Sequence, residues 1–157
     1  MNKQVWYKEL ITKLDPRNVK IDEALHVHTM TRMGGMADLF VTPENEQEAA
    51  FIVDYTHKNN IPLLLLGNGS NMVVRDGGVR GVVLCLEKLD KIVIEGNHVY
   101  AESGAAIIDV SKAAAKESLT GLEFACGIPG TVGGAMAMNA GAYGGEIKDV
   151  ILQCTVL

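Results

Sequence analysis

The stretch Gly127–Gly145, GIPGTVGGAMAMNAGAYGG, limits what this chain can fold into more than any other, because seven of the chain's 17 glycines fall within its nineteen residues. Glycine loses the most conformational entropy on folding, so such a cluster persists where the backbone needs positive φ or where something must approach it closely. The segment has no lysine or arginine, and Val132, Ala135, Met136, Ala137 and Met138 keep it apolar. A solvated linker is instead rich in serine and charge. It reads as a buried wall lined by main chain, against which a flat or anionic ligand lies. Thr131 fits the N-cap of a short helix over residues 132–138, whose free N–H groups would face an anion. Tight backbone packing with no ligand is the competing reading.

The 157 residues suffice for one domain or two small lobes, burying roughly 68–70% of the unfolded surface. The net charge of -5 disfavours a nucleic-acid or anionic-membrane binder, since no basic stripe neutralises phosphates. An anionic small ligand stays open, because backbone N–H groups bind anions without side-chain charge. Cys85, Cys126 and Cys154 are odd in number and contain no CxxC pair. They read as reduced, buried thiols of a cytosolic protein, with neither a metal site nor a disulfide frame. The N-terminus lacks the apolar run of a signal peptide and nothing approaches 18 consecutive apolar residues, so a soluble cytoplasmic protein is expected.

Along the chain, residues 1–25 read as helical and peripheral, with Trp6, Leu10 and Leu14 at helical spacing and Asp15-Pro16 as the break. His26 and His28 alternate with Leu25 and Val27, as on an edge strand; a metal site there lacks a third ligand. Ala37–Val41 is a strand candidate after the Gly34-Gly35 turn, and Thr42-Pro43 reads as N-cap and first residue of a helix. Ala49, Ile52 and Val53 form that helix's buried stripe, and Asn59-Asn60 ends it. Ile61–Leu66 reads as a strand covered on both faces, completing a βαβ unit.

That unit empties into Gly67–Asn71, GNGSN. The dinucleotide fingerprint GxGxxG needs a third glycine, but Met72 stands there, and Met72–Val74 reads as a strand. The loop is therefore a strand–loop–strand nest whose N–H groups suit a diphosphate, or a plain tight turn. Beyond it come short strands with a hairpin at Gly96-Asn97, a helix over residues 107–118 ended by Gly121, the glycine stretch, and a last strand over residues 147–157.

Four features taken together, HTMTRMGGMADLF, LLLLGNGSNMVV, the hairpin strands and GLEFACGIPGTVGGAMAMNAGAYG, resemble the UDP-N-acetylenolpyruvoylglucosamine reductase family. The resemblance starts at about residue 25; Met36 replaces a frequent proline. It implies an α+β, two-lobed FAD-binding fold of the PCMH, or vanillyl-alcohol-oxidase, type, with FAD between the lobes. Residues 1–32 would be a helical arm and edge strand, about 33–80 the first lobe and about 81–157 an incomplete second lobe. A substrate-binding domain would lie beyond Leu157.

By the same resemblance, Gly67, Asn68, Gly69, Ser70 and Asn71 cradle the diphosphate. Gly127, Ile128, Pro129, Gly130, Thr131, Gly133, Gly134 and Ala135 line the cofactor from the second lobe. Asn139, Ala140, Gly141 and Ala142 run near the flavin, and Tyr143 is a substrate or flavin contact. The implied reaction is NADPH-dependent reduction of a nucleotide-sugar enolpyruvate to UDP-N-acetylmuramate in cell-wall synthesis. No catalytic residue is assigned within these residues, and without such groups the chain alone is expected to be inactive. Arg32, Arg75 and Arg80 read as surface or turn charges. The alternatives are a flavin-dependent oxidoreductase acting on another substrate and an inert nucleotide-binding fragment. A phosphate loop of the GxxxxGK[ST] type is absent.

Overall fold

Apolar and polar residues alternate over Val19–Asp22 at the start of Val19–Ala24 (β1), whereas Val79–Cys85 (β4) ends in the unbroken apolar run Val82–Cys85, buried throughout; both strands join one sheet. The computed structural model describes residues 2–157, which divide after Lys88 into a first unit and a second unit, Leu89–Leu157.

In the first unit the four-stranded sheet has the order β1-β2-β4-β3, with β2 at Met36–Val41 and β3 at Leu63–Leu66. β1 runs antiparallel to β2, whereas β2 and β3 both pair in parallel with β4. Helix α2, Glu46–Lys58, connects β2 to β3. Trp6 and Leu10 of helix α1, Lys3–Leu10, pack with Ile52 and Tyr55 of α2 and with Leu39, Val41, Val82 and Leu84. A separate cluster holds Leu25, Phe40, Leu66, Val74, Val83 and Cys85. Consecutive β4 residues thus serve different clusters, as a pleated strand requires. Between Ala37 and Leu39 the register slips, and two residues of β4, Arg80 and Gly81, oppose the single residue Asp38 of β2. Gly81 lies in this bulge at φ +115°, and its amide donates to Asp38 Oδ2 at 2.9 Å.

In the second unit, β5 (Ile92–Glu95) and β6 (His98–Ala101) form the expected hairpin, with Gly96 at φ +59°. Helix α3 is Ile107–Lys116 and helix α4 is Val132–Met138. The two-residue strands β7, Gly141–Ala142, and β8, Gly145–Glu146, pair antiparallel. Ile107, Val110, Phe124, Ala125, Ala135 and Ile147 form the core.

Several expectations are corrected. The helical arm ends at Leu10, packs on the first unit's core and is followed by β1, which pairs with β2, so Lys3–Ala24 is part of the first unit and not a separate arm. Likewise β4 completes that sheet, which carries the first unit to Lys88 rather than to about residue 80. Leu25–Val27 is a 3₁₀ turn, not an edge strand. Helix α2 starts three residues later than expected, because Thr42 is buried and its amide donates to Asn18 O, extending the sheet edge. Asn45 caps it instead, accepting from the Glu48 amide at 2.9 Å. β3 is an edge strand with Leu65 59% exposed, so its apolar run does not mark burial on both faces. Met72–Val74 carries no regular structure and pairs with no strand. Ser118, at φ +59°, not Gly121, turns the chain after α3. Residues 147–149 form a 3₁₀ turn and Ile151–Leu157 carries no regular structure, since an extended run becomes a strand only beside a partner. Only Cys85 is buried; Cys126 and Cys154 are exposed.

Candidate functional site

Loop 67–71 is held at both ends by the core, through buried Leu66 and Val74. Gly69 is its pivot. At φ +66° it packs so closely on the preceding segment that a Cβ would lie 2.4 Å from His28 O. Its carbonyl accepts from the Met30 amide at 3.2 Å. The Asn68 side chain accepts from the Ser70 amide at 3.3 Å, closing the loop on itself. Among the described residues, the amides of Asn68, Gly69 and Asn71 have no hydrogen-bond acceptor. Successive open amides in a turn form an anion-binding concavity.

The loop opens on a cleft of about 440 Å³ lined by Thr29, Arg32, Gly67, Asn68 and Glu87 among others. His28 also borders it. Its ring stacks on Phe40 with centroids 4.0 Å apart, and Nε2 lies 2.8 Å from Glu23 Oε1. Burial pushes the Glu23 carboxyl up, but hydrogen bonds from Lys20 and His28 outweigh it and hold the group below the usual glutamate range. Burial pushes the Cys85 thiol up to about 11, so this cleft residue stays protonated and unreactive. Among the described residues no three metal-ligating side chains cluster.

In the second unit, Thr131 caps α4 as expected, its Oγ1 accepting from the Gly134 amide at 3.3 Å. The remaining part of that expectation fails. The Val132 amide donates to Ala105 O and the Gly133 amide to Ser103 O, both at 2.8 Å. The first-turn N–H groups of α4 are therefore consumed within the unit and do not face an anion. Nor is the stretch a buried wall: Gly127, Pro129 and Gly134 are exposed, Ile128, Gly130 and Gly133 half-buried, and only Thr131 and Ala135 buried. Asn139 is a structural cross-link, donating to Glu146 Oε2 at 2.8 Å and accepting from the Lys148 amide at 3.0 Å. Ala140 and Ala142 are half-buried, and Gly141 is exposed. Tyr143 is 91% exposed at φ +52° and borders a separate cleft with Glu123 and Phe124.

The structure thus brings Gly67–Asn71 together with Thr29, Arg32 and Glu87, which the sequence did not single out as site residues. The available signal was the HTMTRMGG run, whose glycine pair marks a turn but not what the turn faces. The donor set fits a diphosphate: several neutral N–H groups, a guanidinium, and a glycine whose Cβ would fill the cradle's support.

Residues 37–157 match the family described as FAD binding domain, and the chain belongs to that family. It is 59% identical over 139 residues to UDP-N-acetylenolpyruvoylglucosamine reductase of Exiguobacterium sibiricum, covering 88% of this chain and 46% of the relative. It is 50% identical over 157 residues to UDP-N-acetylenolpyruvoylglucosamine reductase 2 of Bacillus cereus, covering 100% of this chain and 52% of the relative. The chain spans about half the length of the curated relatives it matches. Among solved structures, UDP-N-acetylenolpyruvylglucosamine reductase from Thermus caldophilus superposes with a TM-score of 0.65 at 31% identity, over 83% of this chain and 45% of that one. An alkyldihydroxyacetonephosphate synthase shares the fold alone, with a TM-score of 0.70 at 20% identity over 93% of this chain and 34% of that one. The expected α+β FAD-binding fold, the family and FAD as cofactor are borne out.

Proposed function

We propose that this chain is the FAD-binding part of an NADPH-dependent reductase that converts UDP-N-acetylglucosamine enolpyruvate to UDP-N-acetylmuramate for peptidoglycan, in the cytoplasm. The observation that carries the reading is the 59% identity to a reductase of that name. The open amides of Asn68, Gly69 and Asn71 support it independently. FAD, when bound, supplies hydride transfer. Gly67–Asn71 then holds the diphosphate, each N–H to a charged oxygen contributing about 1.5–3 kcal/mol. In the second unit, Gly127–Thr131 and Gly133–Ala135 line the cofactor, Asn139–Ala142 run near it, and Tyr143 contacts substrate.

Reduction of the enolpyruvyl group also needs a proton donor and a cation for developing charge, and no residue here is assigned to either. The 157 residues alone should bind FAD and not turn over. The test is the flavin absorbance of the purified chain after FAD is added and free cofactor removed. NADPH consumption dependent on enolpyruvyl nucleotide sugar is measured beside it, with a reductase of the relatives' full length as reference. No retained flavin overturns the cofactor reading. Substrate-dependent turnover within tenfold of the reference would place the missing groups within residues 1–157.

A further inference from the structure

Six described residues other than glycine hold positive φ, and four of them, Asp22, Asn60, Ser118 and Asn139, are short and polar. Such side chains tolerate the left-handed region by hydrogen-bonding nearby backbone. Arg32, at φ +53°, has no such excuse. Its guanidinium enters none of the ion pairs among the described residues, whereas Arg17 is held by Asp15 and Arg80 by Asp38. A long side chain kept in a costly conformation without an internal partner points outward to a ligand.

Arg32 lines the same cleft as Gly67 and Asn68. Its turn is tied to the phosphate loop and cannot drift from it. Thr29, 5% exposed, donates from Oγ1 to Met33 O at 2.9 Å, and the Arg32 amide donates to Thr29 O at 3.1 Å. One residue along, the Met30 amide holds Gly69 O. Of the other titratable groups on the cleft, His28 is engaged by Glu23, the Cys85 thiol is held protonated by burial, and Glu87 is acidic. In a chain of net charge -5, an anion entering there meets its cation at Arg32.

We infer that Arg32 is the cationic clamp of this cleft, its guanidinium pairing with the diphosphate that the open amides of loop 67–71 hold. This rests on the FAD-binding reading above. A planar guanidinium engages phosphate oxygens through two parallel N–H bonds, which an ammonium does not.

The test compares wild type, Arg32→Gly and Arg32→Lys in titrations with FAD and with riboflavin, which carries the same ring and no phosphate, at low and high salt. Glycine relieves the left-handed backbone while deleting the charge, so stability and affinity should move apart. Arg32→Gly should weaken FAD binding by roughly 10- to 100-fold, the effect of losing one charge-assisted contact. It should flatten the salt dependence, leave riboflavin affinity unchanged and leave the melting temperature equal or higher. Arg32→Lys should fall between. Unchanged FAD affinity and salt slope in Arg32→Gly overturn the inference and leave the FAD reading standing. Equal losses for FAD and riboflavin, or a lower melting temperature, make Arg32 structural and also overturn it. Where riboflavin binds too weakly to measure, the salt slope decides. Wild type that binds no FAD overturns the cofactor reading, and the inference with it.

Discussion

A Cβ placed on Gly69 would sit 2.4 Å from His28 O and 2.7 Å from Thr29 Cα, at a φ of +66°. Neither neighbour is a flexible side chain, so Gly69→Ala strains the loop whatever binds it. The left-handed backbone and the overpacking together should destabilise by about 2–4 kcal/mol, read in urea denaturation without ligand. Gly127 is the opposite case: nothing lies within 4 Å of its added Cβ and its φ is ordinary. Gly127→Ala should leave stability within about 0.5 kcal/mol, so its effect on FAD affinity reports ligand approach alone. A fall in affinity is expected; unchanged affinity removes Gly127 from the cofactor wall. The sequence showed that both positions were glycine, but not which glycine serves the fold and which faces open space. That distinction depends on His28, a residue 41 positions upstream in the chain. Arg32 was missed for a related reason, since only the folded turn shows its backbone strain.

Among the elements, helix ends were read with mixed success, for one physical reason. After α2, α3 and α4 the amide of Ile61, Leu119 or Ala140 reaches back to the carbonyl five residues before it, at 2.8–3.0 Å. The intervening left-handed residue is Asn60, Ser118 or Asn139. This is the Schellman geometry usually given to glycine, and here polar residues fill it while glycine serves elsewhere. Expecting glycine at that position therefore misplaced the end of α3 at Gly121. Strand β1 was missed because its alternation followed directly on a helical pattern. Its Glu23 gives a pH signature. Burial raises the Glu23 carboxyl, but hydrogen bonds from Lys20 and His28 prevail and lower it overall. A carboxyl lowered in the folded state contributes stability at neutral pH that fades as pH falls through and below the ordinary glutamate range, from about pH 5 down. Thermal melts of wild type and Glu23→Gln should therefore differ at pH 7 and converge toward about pH 3. A difference that holds at every pH would show that the Glu23 charge is not what matters.

At the level of the whole chain, the motifs identified the family while the unit boundary and the last eleven residues were misread. The boundary moved because β4 inserts between β2 and β3, a pairing that no local pattern encodes. The C-terminal run was read as a strand from its apolar composition, yet backbone pairing is a property of two segments. Among the described residues Ile151 still donates to Ile147 O at 3.1 Å. From Leu152 onward no bond anchors the backbone to the second unit, and Leu152, Val156 and Leu157 are 80%, 81% and 74% exposed. Three large apolar side chains exposed on an unpaired segment favour association between copies. Deleting residues 152–157 removes that surface and no core contact. The deletion should change unfolding free energy by no more than about 0.5 kcal/mol, as for other surface changes, while sedimentation at rising concentration should show less self-association than the intact chain. A loss of stability above about 1 kcal/mol would mean that the segment packs on the fold. Equal association by both chains would move the sticky surface elsewhere, with Leu65 on the β3 edge the next candidate.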